Sequence, residues 1–169
     1  MEDQDDDVIR ISSTHAGSQT IPLIGWLALS LAASGTAVFV STSGWYAGLN
    51  KPVWNPPGWI FGPVWTLLYV MMGIAAWLVW REGGWKTQRM PLSLFLLQWL
   101  FNALWTPLFF GAHRIGPAFV DIALLWLTLV LTLTLFWRVS RMAGMLLVPY
   151  LGWVTFATAL NFTIWHLNP

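Results

Sequence analysis

The sequence predicts an all-α membrane protein built as a five transmembrane helix bundle. Three observations carry that reading. Five apolar segments follow one another, each about 20 residues or longer, the length that spans a hydrocarbon core of roughly 30 Å. The composition is 57% hydrophobic and only 9% charged, whereas a soluble domain carries about 25% charged residues. No segment alternates apolar and polar residues with period two, so a barrel is excluded and helices remain as the spanning structure.

The segments are expected at about Ile21 to Gly44, Gly58 to Trp80, Pro91 to Phe110, Gly116 to Trp137 and Ala143 to Trp165. Pro22 lies near the first turn of the first, and Pro91 suits the first position of the third. Arg81-Glu82-Gly83-Gly84 stops the second segment, and Arg138 stops the fourth. Residues 1–20 open with Glu2, Asp3, Asp5, Asp6 and Asp7 and read as a disordered acidic tail. They lack the basic start and cleavage site of a signal peptide. Residues 21–169 form one transmembrane domain. Short connections make consecutive helices antiparallel neighbours. Arg10, Arg81, Lys86, Arg89, Arg138 and Arg141 fall on one side, and Lys51 and Arg114 on the other. That imbalance puts the N-terminus on the positive, cytoplasmic side of a multi-pass protein.

The exception among the connections is the run from Trp45 to Pro57. It leads into NKPVWNPPGWIFGPVWTLLY at Asn50–Tyr69, with four prolines, two glycines and three tryptophans. Pro52, Pro56 and Pro57 remove backbone donors and bias the preceding residues away from helix. A long aromatic loop in a compact bundle reads as functional. Lys51, Pro52 and Trp54 are its candidate lid residues.

The chain has no cysteine, which excludes disulfides and thiolate chemistry. His15, His113 and His166 are dispersed, so no metal set or catalytic constellation forms. No basic stripe points to nucleic acid. Gly58 and Gly62 match a helix-packing spacing. Fourteen tryptophans are the anomaly. Trp26, Trp45, Trp80, Trp85, Trp137 and Trp165 lie near segment ends and suit interfacial belts. Trp65, Trp105, Trp126 and Trp153 lie inside segments. Trp65 and Tyr69 share one helix face, Phe101, Asn102 and Trp105 fall within one turn, and Trp153, Phe156, Ala157 and Leu160 form a stripe. Such stripes pack a core or line a slot for a planar conjugated molecule. Asn102, Asp121 and Asn161 lie at membrane depth, where polar groups face protein or a cavity. For the two asparagines the other reading is interhelical bonding, and for Asp121 it is capping or snorkelling.

The runs WYxGLNKPxWNPPGWxFGPVWTLLY, WLFNALWTPLFFG and VPYLGWVTFATALNF resemble the TspO/MBR family, the tryptophan-rich sensory proteins of bacteria and the translocator protein, or peripheral benzodiazepine receptor, of mitochondria. The resemblance covers about Ile21 to Asn168. It implies a five-helix bundle, usually a homodimer, that binds porphyrins such as protoporphyrin IX or haem, benzodiazepine-site compounds and, in some members, cholesterol. By motif the family pocket falls on Tyr46, Trp65, Asn102, Trp105, Trp153, Ala157 and Leu160, and Asp121 matches an acid of many members. A vertebrate motif proposed for sterol is absent, because Phe162 and His166 stand where a Tyr and an Arg would be. The resemblance therefore favours a tetrapyrrole as ligand, no required cofactor, and a bacterial membrane. The expected function is a tetrapyrrole sensor or regulator in the bilayer. The alternatives are a light- and oxygen-dependent porphyrin-degrading enzyme using Trp65 and Trp153, and a tetrapyrrole or sterol transporter.

Overall fold

The computed structural model describes residues 20–39 and 44–169; most of the acidic tail and the end of the first segment lie outside the described residues. The described residues form an all-α bundle. We number the principal helices α1 (Thr20–Thr36, tightening to 3-10 turns over Ala33–Phe39), α2 (Phe61–Trp80), α3 (Arg89–Thr106), α4 (Ile115–Val139) and α5 (Arg141–Leu167). With their flanking turns, α2 to α5 are each long and apolar enough to cross a membrane, and α1 is a shorter apolar helix.

Sequence chemistry sets the boundaries. Pro57 cannot continue a helix backward, and a 3-10 turn at Gly58–Ile60 leads into α2. After α2 the chain turns through Gly83 and Gly84, at φ 114° and 59°. At Gly83 the positive φ favours glycine, and a Cβ would also run into the Thr87 hydroxyl. The third helix begins at Arg89, which places Pro91 at its third position rather than its first. That helix ends in a wide π turn at Pro107–Gly111. Proline supplies no N–H at that point, and the ladder slips so that Ala112 N–H bonds the Pro107 carbonyl at 2.8 Å. Ser140 is extended and accepts from Ala143 N–H at 3.4 Å, capping α5.

Within the bundle α4 packs along α3 and α5, and α2 packs along α5. Trp26 of α1 lies 5.8 Å from Trp80 of α2 and 5.6 Å from Phe95 of α3, measured between ring centres. The helices therefore close a ring in the order α1, α2, α5, α4, α3. Consecutive helices are neighbours at α3–α4 and α4–α5, as the short loops predict. In contrast, α2 and α3 touch only lightly, because α1 leans on both. Trp26 is thus a core residue, 8% exposed, and not a belt residue. Gly58 and Gly62 are exposed, and a Cβ on either would meet no neighbour within 4 Å among the described residues, so they pack no helix within the chain.

Threonines on α2, α4 and α5 return their hydroxyls to the carbonyl four residues back, as Thr132 does to Thr128 at 2.7 Å. This satisfies them without water, the condition lipid imposes.

Gly73 is where α1 and α2 meet. A Cβ there would sit 2.9 Å from the Leu27 Cα, a backbone atom that cannot rotate away. Gly73→Val is expected to lower stability by about 1–3 kcal/mol, read as a lower thermal midpoint in detergent. Gly152→Ala, which meets open space, is expected to leave the midpoint unchanged or raise it.

Candidate functional site: an aromatic seam under a proline-rich cap

Two side-chain amides fix the helices that carry the site. The Tyr69 hydroxyl donates to Asn102 Oδ1 at 2.9 Å, and Asn102 Nδ2 donates to the Tyr150 hydroxyl at 2.9 Å. Asn102 thus ties α2, α3 and α5 together. One layer nearer the long loop, Trp105 Nε1 donates to Asn161 Oδ1 at 3.0 Å, and Asn161 Nδ2 donates to the Ile115 carbonyl at 3.1 Å. Asn161 thus ties α3, α4 and α5. Both asparagines are buried. For both, interhelical bonding is what the geometry shows, with no amide atom of the pair left idle.

The seam between α2 and α5 is lined with rings. Phe61 of α2 meets Trp153 of α5 at 5.8 Å, and one turn along, Trp65 meets Tyr150 at 6.2 Å. Trp65 also stacks on Tyr69 at 5.4 Å. The two indoles that the sequence singles out therefore lie on successive turns of one antiparallel seam, both half-buried. Trp153 Nε1 is buried and has no hydrogen-bond acceptor.

The long loop folds over this end of the bundle. Trp54 packs on Phe156 at 5.7 Å, and Phe156 on Trp153 at 5.5 Å. The root of the loop is firmly held. Asn50 N–H donates to Asn168 Oδ1 at 3.0 Å, and Asn168 Nδ2 returns a bond to the Asn50 carbonyl at 2.9 Å. The Lys51 ammonium donates to the carbonyls of Tyr46, Leu49 and Ala47 at 2.7, 2.9 and 3.2 Å. Its three donors are therefore engaged in holding the loop, not presented to a ligand at the mouth. The Tyr46 hydroxyl donates to Asn55 Oδ1 at 2.7 Å, and its ring packs on Phe109 and Phe110. Asn55 N–H closes a turn onto the Pro52 carbonyl at 3.0 Å.

The remaining candidates divide between these groups. Trp105 stacks on Phe109 at 5.1 Å, and Tyr46 meets the same Phe109 ring at 6.1 Å. Leu160 belongs to the loop-side cluster with Phe109, Ile115 and Ile164, and Ala157 to the main core. Asp121 is 7% exposed, so it neither snorkels nor caps, and its Oδ2 has no hydrogen-bond partner. Two open grooves lie on the outer wall of α4 and α5. One of about 450 Å³ is lined by Phe162, Trp165, His166 and Pro169, and one of about 350 Å³ lies between Trp126, Thr155 and Phe162. The seam itself is packed with rings. Sequence reasoning missed Phe61, Asn55, Phe109 and Asn168. Asn55 carried a signal, since an asparagine before Pro-Pro favours a side-chain-stabilised turn. No group of three metal-ligating side chains occurs among the described residues.

Fold and site together define an integral, multi-pass helical membrane protein with an aromatic, capped end. A model of the TspO/MBR family matches residues 21–166, and the chain belongs to that family. It is 43% identical over 153 residues to the translocator protein of Homo sapiens, covering 88% of this chain and 90% of that protein. It is 45% identical over 153 residues to the tryptophan-rich protein TspO of Chlorobaculum tepidum, covering 89% and 96%. It is 41% identical over 143 residues to a tryptophan-rich sensory protein of Cereibacter sphaeroides, covering 85% and 89%.

Burial pushes the Tyr46 phenol above its usual value of 10.0, partly offset by the bond to Asn55. The folded loop therefore holds this proton more tightly than the unfolded chain does. Its contribution is complete below about pH 10 and is lost as pH rises through the raised value. Thermal midpoints measured above pH 10 are expected to fall in the native chain and to fall less in Tyr46→Phe.

Proposed function

We propose that this protein is a tetrapyrrole-binding sensor or regulator of the membrane, taking protoporphyrin IX or haem at the α2–α5 seam. The observation that carries the reading is the buried Trp153 N–H without an acceptor, beside rings that a flat molecule can replace. An unpaired buried donor costs about 1–3 kcal/mol, and a polar edge of the ligand would recover it. The macrocycle stacks on Trp65 and Trp153, displacing Phe61 from Trp153 and lifting Trp54 from Phe156. Tyr46 and the Pro52–Pro57 segment then close over the ligand, while the Lys51 and Asn168 bonds keep the root of the loop in place. Benzodiazepine-type ligands are not flat overall, but their aromatic rings could stack on the same indoles. The sensory name borne by one relative agrees with this role.

Burying about 200 Å² of apolar surface at roughly 25 cal/mol/Å² contributes about 5 kcal/mol. Ordering costs reduce that, so the expected micromolar affinity, about 8 kcal/mol, requires polar contacts, the Trp153 donor among them, to supply the remainder. The test is a titration of protoporphyrin IX into the protein in nanodiscs, followed by tryptophan quenching. Replacing both Trp65 and Trp153 with Ala is expected to weaken binding at least tenfold. Unchanged affinity in that variant contradicts the site. A new absorbing product that requires light, oxygen and Trp65 would move the assignment from receptor to enzyme.

A further inference from the structure

The buried hydrogen bonds in the core run in one direction. Tyr69 donates to Asn102, Asn102 donates to Tyr150, and the Tyr150 hydroxyl donates to Gln98 Oε1 at 3.1 Å. There the chain of donors stops. Gln98 is 0% exposed, and its Nε2 has no partner. Turning the amide round would only move the deficit to its oxygen.

A second unpaired polar atom lies at the same level. Ser30 of α1 is also 0% exposed, and its Oγ has no partner. It belongs to the buried stripe Trp26, Ser30, Ala33. The register between α1 and α3 is fixed by two contacts, Trp26 on Phe95 and Trp99 Nε1 on the Leu29 carbonyl at 2.8 Å. Those contacts pair residues 69 and 70 apart in sequence, and that register puts Ser30 at the level of Gln98 and Trp99 along the bundle.

We propose that Ser30 and Gln98 form an internal binding site for a single water molecule. The water accepts from Gln98 Nε2 and donates to Ser30 Oγ, so both deficits are met by the one small molecule with a donor and an acceptor to offer. The donor chain then runs unbroken from Tyr69, on which Trp65 stacks, through α3 and α5 to α1. Polarised chains of this kind strengthen their members. The bridge ties α1, the helix that leads into the capping loop, to the residues behind the seam. It does not depend on which ligand the seam takes.

The experiment is water-to-amide magnetisation transfer in 15N-labelled, deuterated protein in nanodiscs. The rotating-frame sign separates dipolar contact from proton exchange, and Gln98→Met identifies the Gln98 side-chain signal. Dipolar transfer to the Gln98 amide is expected in the native chain and in Ser30→Thr. Ser30→Val, which fills the site with a methyl group, is expected to remove at least half of it. Absence of dipolar transfer in the native chain, or retention of more than half in Ser30→Val, overturns the proposal. The native-chain result decides the matter even if the valine variant does not fold.

Discussion

In lipid a polar side chain has no water to fall back on, and two asparagines turn that constraint into architecture. Asn102 and Asn161 each bond side chains or backbone on two other helices. Bonds of this kind average about 0.6 kcal/mol in membranes and reach about 1.7. Four of them supply only a few kcal/mol, but lipid tails are as apolar as leucine, so burial alone does not choose a register. The amides do. Once Asn102 meets Tyr69 and Tyr150, Trp65 must face α5, and the α2–α5 seam follows.

The capping loop obeys a different rule. Its root is held by hydrogen bonds at Lys51, Asn50 and Asn168. The stretch that covers the seam rests on Trp54 and on the single Tyr46–Asn55 side-chain bond. Ring pairs contribute about 0.5–1.5 kcal/mol each beyond burial. Under the proposed function, exchanging a few of them for stacking on a ligand would be close to neutral, and a bond to the unpaired Trp153 donor would favour the exchange. A seam closed by its own rings is thus compatible with a site that opens for a guest.

Much of this architecture was legible in the sequence. Long apolar runs define α2 to α5, because the bilayer sets a minimum length that composition reveals directly. The stripes at Trp65–Tyr69 and Trp153–Leu160 named the seam residues through helical spacing alone. Three things were not legible. Trp26 lies near a segment end like a belt residue, and only its position against both Trp80 and Phe95 makes it core. Lys51 looks like a free cation at a pocket mouth, since nothing local shows that three loop carbonyls surround it. Gly73 carries no packing motif, yet it sets the contact between α1 and α2. In each case the deciding partner is distant in sequence or depends on how the loop folds back.

The most direct test is whether the cap moves when the seam fills. The chain lacks cysteine, so spin labels at Val53→Cys on the cap and Val148→Cys on α5 report one distance by pulsed electron resonance. Adding protoporphyrin IX is expected to shift that distance to a longer value, by more than the width of the ligand-free distribution. An unchanged distance in samples whose tryptophan quenching shows bound porphyrin would contradict displacement of the rings at the α2–α5 seam.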